Sequence, residues 1–243
     1  MTGPASLDPH TVLRAYAMGV FPMADSRDAD SVYWVEPKQR GILPLDGFHC
    51  ARSLRKTLAA DRFRVTVDHA FPQILQLCAE SAPDRPETWI SEPIEKVFLQ
   101  LHALGFAHSV ECWDGDRLAG GLYGLALGGA FFGESMVSRA TDASKVALAW
   151  LVARLRLGGF TLLDCQFQTD HLATLGVVEI DRADYSTLLA EALGAGASAS
   201  TGSDAEEAAP DFFALDRLPP LDADTVSGPV SGKRIVQLLG QTS

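Results

Sequence analysis

The chain has 243 residues and a mass of 26.0 kDa, with 20 basic against 31 acidic residues, a formal net charge of −11 and a pI near 4.9. That length accommodates one large or two small domains with a proper core, and 47% hydrophobic with 21% charged residues excludes a wholly disordered chain. Taken as an average, the acid excess argues against nucleic-acid binding, because phosphate contact calls for Lys and Arg.

The opening MTGPASLDPH has neither the basic leader nor the apolar run of a signal peptide. No stretch reaches the roughly 18 to 20 apolar residues of a membrane span, so a cytoplasmic protein is expected. A helix is predicted from Asp8, an N-cap followed by Pro9 at the first helical position, to Gly19. Loops with short strands at Val32–Val35 and Gly41–Leu43 follow, then a helix in RSLRKTLAA and a strand in RFRVTVD. FPQILQLCAE and PIEKVFLQLHALG read as two more helices, the second closed by Gly105.

From His108 the pattern turns to two or three strands, the first two joined by a hairpin turn at Asp114-Gly115-Asp116. DASKVALAWLVARLRLGG is a helix with Asp142 as cap and Gly158-Gly159 as stop. TLLDCQF is a buried strand, TDHLATLG a short helix, VVEI a strand and YSTLLAEAL a last helix. Strands and helices in this order predict an α/β or α+β fold. After Leu193, GAGASASTGSDAEEAAPD is small, polar and acidic, the composition of a flexible linker. The remaining piece, up to GKRIVQLLGQTS, either docks as an extended arm ending in one helical turn or stays free.

Charge is unevenly spread. Residues 1–160 hold 16 basic and 18 acidic residues, and residues 161–243 hold 4 and 13. Residues 38–64 carry Lys38, Arg40, Arg52, Arg55, Lys56, Arg62 and Arg64 against Asp46 and Asp61, a local net of +5. Such a run is either a solvated face or a phosphate-facing patch. The four cysteines, Cys50, Cys78, Cys112 and Cys165, form no CxxC pair and have no His at metal spacing, so reduced thiols and no metal are expected.

Asp164 and Gln166 lie two apart on a strand and share a face. Two polar groups on a buried strand are either an internally satisfied network or a site. Leu148, Leu151 and Leu155 share a helical face, which on periodicity alone is core.

AYAMGVFPM (residues 15–23), YWVEPKQRG, FHCARSLRK, FRVTVDHAF, TWI and the block from LHALGFAHSVECW to TDHLATLG together resemble the leucyl/phenylalanyl-tRNA–protein transferase family, over about residues 10–193. The resemblance implies a small N-terminal domain (1–48), an acetyltransferase-like (GNAT) catalytic domain (49–193) and, outside the matched part, the acidic linker and C-terminal arm (194–243). It implies a cytoplasmic, monomeric, cofactor-free and metal-free enzyme. Its reaction would move Leu, Phe or Met from aminoacyl-tRNA to the α-amine of proteins beginning with Lys or Arg, marking them for degradation.

By the same resemblance, Gln166 positions the attacking amine and Asp164 polarises Gln166, the proton ending on the ribose hydroxyl or a water. Glu134 receives the acceptor's positive charge, and Leu122, Phe131, Leu148, Leu151, Leu155 and Leu163 form the apolar pocket. Trp89 and Met23 stack on the terminal adenosine, Met23 standing where some relatives have tryptophan. Tyr33 and Trp34 occupy positions where the family often has two tryptophans; core packing serves Trp34 equally well. Arg52, Arg55 and Lys56, three and four apart on one helical face, contact acceptor-stem phosphates. His49, His108 and His171 match family motifs; His49 is given no chemistry, and a structural role suits the other two. The acid of residues 161–243 would repel the rest of the polyanion.

Two rival functions fit the composition. An acyl-CoA-dependent acetyltransferase would want glycines and backbone amides before a helix, and SRATDASK has no glycine. A non-catalytic module binding tRNA or basic N-termini would leave Asp164 and Gln166 as core polar groups.

Overall fold

The computed structural model describes residues 6–29, 31–80, 88–194, 208–219 and 230–240. Helix α1 (Pro9–Ala17) starts as the sequence dictates, with the Asp8 carboxylate accepting from Thr11 N at 2.8 Å. It buries Val12 and Tyr16. A two-stranded ribbon follows, β1 (Phe21–Met23) antiparallel to β2 (Tyr33–Val35). Then come β3 (Gln39–Ile42), α2 (Arg52–Ala59), β4 (Arg64–Val67), α3 (Phe71–Ala79) and α4 (Glu92–Ala103). Three long strands run next: β5 (Ala107–Asp114), β6 (Arg117–Leu127) and β7 (Ala130–Ser138). The chain continues through α5 (Ala143–Leu157), β8 (Leu162–Gln166), α6 (Asp170–Ala173), β9 (Val178–Asp181), α7 (Arg182–Gly194) and α8 (Gly232–Gly240).

Seven strands form one mixed sheet in the order β4-β5-β6-β7-β8-β3-β9. Only the β7–β8 pairing is parallel, and α5 is its crossover. β3, from within the expected N-terminal segment, is inserted between β8 and β9. The two faces of the sheet carry two apolar cores. Leu54 and Leu58 of α2, most of α5 and Ile235 of α8 fill one; Tyr16 of α1, Ile74 of α3, Phe98 of α4 and Leu189 of α7 fill the other. The alternation of a strand divides adjacent residues between them: Leu122 and Phe131 face the first core, Tyr123 and Phe132 the second.

Helix α5 buries every residue from Ala143 to Leu155 except Lys145, as expected of a helix whose apolar residues run round most of its circumference. Its start differs from the sequence expectation. Asp142 adopts a left-handed backbone (φ 68°) and its side chain caps no amide; the carboxylate instead holds Lys145 Nζ at 3.2 Å. Positive φ takes the side chain away from the first-turn amides it would have to reach.

The expected acidic linker falls largely on residues outside the described ones. The described C-terminal residues resolve the two readings of the arm in favour of docking. Phe212 stacks on Phe131 (5.6 Å) and His108 (4.2 Å), and the buried Arg154 guanidinium bonds Phe212 O at 2.7 Å and Asp216 at 2.6 and 2.7 Å. α8 has nine residues, more than the single turn expected, and packs on α2 and α5. No helix of the described residues is long and apolar enough to cross a membrane.

Candidate active site

Two local irregularities build the site. On β7, Tyr123 pairs with Ser135 and Gly124 with Gly133, so Glu134 is an extra residue with no partner on β6. On β8, Gly41 pairs with Gln166 and Ile42 with Asp164, leaving Cys165 as the extra residue. Such bulges bend a strand and re-aim its side chains. The parallel register has Phe132 opposite Asp164; two residues further on, Gln166 Nε2 donates to Glu134 Oε1 at 2.9 Å.

Gln166 itself has φ 56°, a left-handed conformation that costs a non-glycine residue about 1–3 kcal/mol and persists only where its surroundings impose it. Here the constraint is visible. Gln166 N donates to Asp164 Oδ1 at 2.8 Å, and the chain leaving Gln166 lies against Gly41. A Cβ on Gly41 would sit 2.8 Å from the Phe167 carbonyl carbon, so only glycine fits there.

The Asp164 carboxylate is fully buried and is held by Arg40, whose Nε lies 2.9 and 3.0 Å from its two oxygens and whose Nη2 lies 2.6 Å from Oδ2. Tyr185 Oη donates to the same Oδ2 at 2.6 Å. The Arg40 guanidinium also bonds Gly19 O at 3.0 Å and lies over the Phe21 and Tyr185 rings, 4.7 and 4.5 Å from their centroids. The guanidinium fork fixes the Asp164 carboxylate in place; it meets Gln166 through the backbone, while the Gln166 amide bonds Glu134.

Burial is the main cause that pushes the Glu134 carboxyl up to about 8; the charge of Asp164 adds to it, and Tyr16, Arg40 and Gln166 work the other way. Tyr16 Oη is buried beside this carboxyl and is the strongest of the groups that hold it down.

An apolar cavity of about 230 Å³ opens at this polar pair, lined by Leu122, Met136, Leu148, Leu151, Leu163, Cys165 and Leu172, with Glu134, Gln166, Thr169 and His171 at its polar edge. Burial holds the Cys165 thiol far above its ordinary value, which makes it wall rather than nucleophile. The structure thus brings Leu122, Leu148, Leu151, Leu163, Glu134 and Gln166 together. Phe131 and Leu155 are sealed in the core and do not line the cavity. Trp89 and Met23 are half-buried against the second core, also outside the lining. Tyr33 and Trp34 are exposed on β2, and His49 is exposed beside α2. His108 bonds Asp68 Oδ2 at 2.7 Å under Phe212, a structural arrangement.

Of the basic stretch, Arg40 is buried, Arg62 is paired with Asp114 and Arg64 lies over the Trp113 ring. Arg52, Arg55 and Lys56 stay exposed on α2, in no ion pair among the described residues. Among those residues no cluster of three metal-ligating side chains occurs. Arg40, Tyr185 and Tyr16 are the site residues that spacing does not single out. The only signal for Arg40 is the Gly41 that follows it, and the charge count had placed Arg40 on the surface.

A rigid amide and a buried carboxyl thus lie together at the mouth of an apolar cavity, an arrangement able to hold and orient a reactant. Two family models match the chain. The model for leucyl/phenylalanyl-tRNA protein transferase matches residues 42–190, and the model for the N-terminal domain of the same proteins matches residues 5–38. Relatives of that name match along the whole chain: one from Rhizorhabdus wittichii is 61% identical over 98% of this chain and 99% of its own. One from Zymomonas mobilis is 52% identical over 98% of each, and one from Phenylobacterium zucineum is 50% identical over 98% and 100%. The chain belongs to the leucyl/phenylalanyl-tRNA–protein transferase family, and it is an enzyme of that kind.

Proposed function

We propose that the protein moves Leu, and Phe or Met, from aminoacyl-tRNA to the α-amine of proteins beginning with Lys or Arg. The observation that carries this reading is the 2.9 Å Gln166–Glu134 contact at the mouth of a leucine-lined cavity. The cavity takes the donor side chain, which sets its ester carbonyl beside Gln166. The acceptor's ammonium meets Glu134 through a charge-assisted hydrogen bond. Burial raises the Glu134 carboxyl toward the range of an α-amine, which makes its ionised form a stronger base than an ordinary carboxylate.

With Glu134 in its ionised form, the ammonium yields one proton to that carboxylate, the amine nitrogen attacks the ester carbonyl, and the C–O bond to the ribose breaks as the C–N bond forms. The nitrogen's second proton goes to the departing ribose oxygen, directly or through a water. Asp164 acts as a positioning residue: with Arg40 and Tyr185 it fixes the Gln166 backbone that aims the amide. Trp89 and Met23 would stack on the terminal adenosine, worth about 1–3 kcal/mol per base for an aromatic wall, and Arg52, Arg55 and Lys56 would hold acceptor-stem phosphates.

The division into residues 1–48, 49–193 and 194–243 and an acetyltransferase-like catalytic fold belong to the same reading. The parallel β7–β8 pair with the cavity beyond it supports the latter. The four free cysteines suit a reducing compartment such as the cytoplasm, and the enzyme is taken to act as a monomer. Labelled Leu-tRNA with an Arg- or Lys-initiated peptide, run beside acetyl-CoA as an alternative donor, tests the function. Label is expected on the peptide from Leu-tRNA alone; transfer from acetyl-CoA alone, or binding without transfer, would overturn it.

A further inference from the structure

We propose that the C-terminal helix α8 completes a phosphate-binding surface begun by α2, so that five cations from the two helices, rather than three from one, grip the backbone of a tRNA helix. This rests on the donor being a tRNA and adds the C-terminal arm to its binding surface.

The two helices are in close contact. Gly232, the first residue of α8, approaches the C-terminal end of α2 so tightly that a Cβ there would lie 1.9 Å from Leu58 O. Its amide donates to Asp61 Oδ1 at 2.7 Å. Gly232 therefore fixes the start of α8 directly after the turn of α2 that bears Lys56. The next two residues are Lys233, exposed, and Arg234, partly exposed.

Amphipathicity decides what each face does. Ile235 is fully buried between α2 and α5, with Val236, Leu238 and Leu239 packed against the same core, while Lys233 and Gln237, one turn apart, face solvent. The residues of α2 and α8 include five cations and no Asp or Glu, in a chain whose net charge is −11. Among the described residues, none of the five forms an ion pair, and Arg234 Nη1 instead bonds Gln237 Oε1 at 3.3 Å. Cations without carboxylate partners on two packed helices fit a polyanion. The eight residues of α2 span roughly 12 Å at about 1.5 Å each, the rise of three or four phosphates along one strand, and α8 lengthens that track at its Lys56 end.

Salt dependence counts the contacts. Each neutralised duplex phosphate contributes a slope of about −0.9 in log K against log salt. Five contacts predict about 500-fold weaker tRNA binding at 200 mM than at 50 mM salt, and three predict about 40-fold. The experiment measures binding of the full-length protein to uncharged tRNA across this range for wild type, Lys233→Ala/Arg234→Ala, Lys233→Arg/Arg234→Lys and Arg55→Ala.

The alanine pair is expected to fall from about 500-fold to about 40-fold, and the charge-keeping pair to restore the wild-type slope. Lys233→Glu, at an exposed position that no packing depends on, is expected to weaken binding further at 50 mM salt than Lys233→Ala. A wild-type slope in the alanine pair, with Arg55→Ala reducing it, overturns the role of α8 while leaving tRNA binding intact. Failure of the wild type itself to bind tRNA overturns the underlying reading instead.

Discussion

Asp164 and Gln166 are two residues apart yet fail in different ways when altered. Replacing Asp164 by Asn removes the charge that Arg40 is buried against, and breaking such a pair costs about 3–5 kcal/mol. Denaturant unfolding of Asp164→Asn should show that loss, with turnover falling because Gln166 is no longer held. Gln166→Ala should cost less stability, about 1–3 kcal/mol for the Glu134 carboxyl left without this donor, and cut turnover far more than tRNA affinity; equal losses in turnover and affinity would remove its positioning role. Glu134 gives a third signature. With its carboxyl near 8 in the folded protein and 4.5 as its ordinary value, the native state holds a proton that the unfolded chain has lost. Stability should therefore fall as pH rises from about 4.5 to about 8 and level off above. Glu134→Gln keeps the hydrogen-bonding shape without the charge and should flatten that fall; an unchanged slope would mean that other groups cause it. Asp164, Gln166 and Glu134 were legible in the sequence as residues to watch, but their geometry was not. Strand alternation puts Asp164 and Gln166 on one face, whereas a bulge at Cys165 and a left-handed Gln166 separate their tasks. Arg40 was hidden because a charge count does not distinguish a guanidinium in solvent from one between two aromatic rings.

Most elements follow from local pattern: the Asp8 cap, the Gly115-Asp116 hairpin connection and the helices on either side of them form where propensity and periodicity place them. What the pattern cannot supply is the use of a face. Helix α5 is buried on nearly every side, so periodicity does not tell Leu148 and Leu151, which line the cavity, from Leu155, which lies in the core. The arm itself was ambiguous for the same reason, since Phe212 and Ile235 become core residues only when His108, Phe131 and α2 are assembled to receive them. The cavity walls carry a prediction about choice of donor. Leu151→Ala should widen the cavity and move selectivity from Leu toward Phe. The change in the ratio of kcat/KM values should be on the order of 10- to 200-fold, the scale of methylene-sized differences in an apolar pocket. Stability should drop by about 2–5 kcal/mol. A variant that loses stability without any shift in the Leu-to-Phe ratio would place the donor side chain elsewhere.

The charge of the whole molecule and the charge of the face proposed to meet tRNA have opposite signs, and salt separates their reach. At 0.01 M ionic strength the Debye length is about 30 Å, so an approaching tRNA senses the net −11 across the protein; at 0.15 M it is about 8 Å, and only nearby charges are felt. Not all of the acid acts at long range. Asp164 is neutralised by Arg40, Asp216 by Arg154 and Asp211 by Arg217, so part of the acid in residues 161–243 is consumed in holding the fold. The exposed cations of α2 act at contact distance. The association rate with tRNA should therefore rise as salt increases from 10 mM, pass through a maximum and fall at higher salt, while dissociation accelerates throughout. Stopped-flow binding at constant pH measures both. A rate that falls monotonically from 10 mM would mean that the basic face outweighs the net charge at every distance, and that the acidic remainder has no part in tRNA encounter or release.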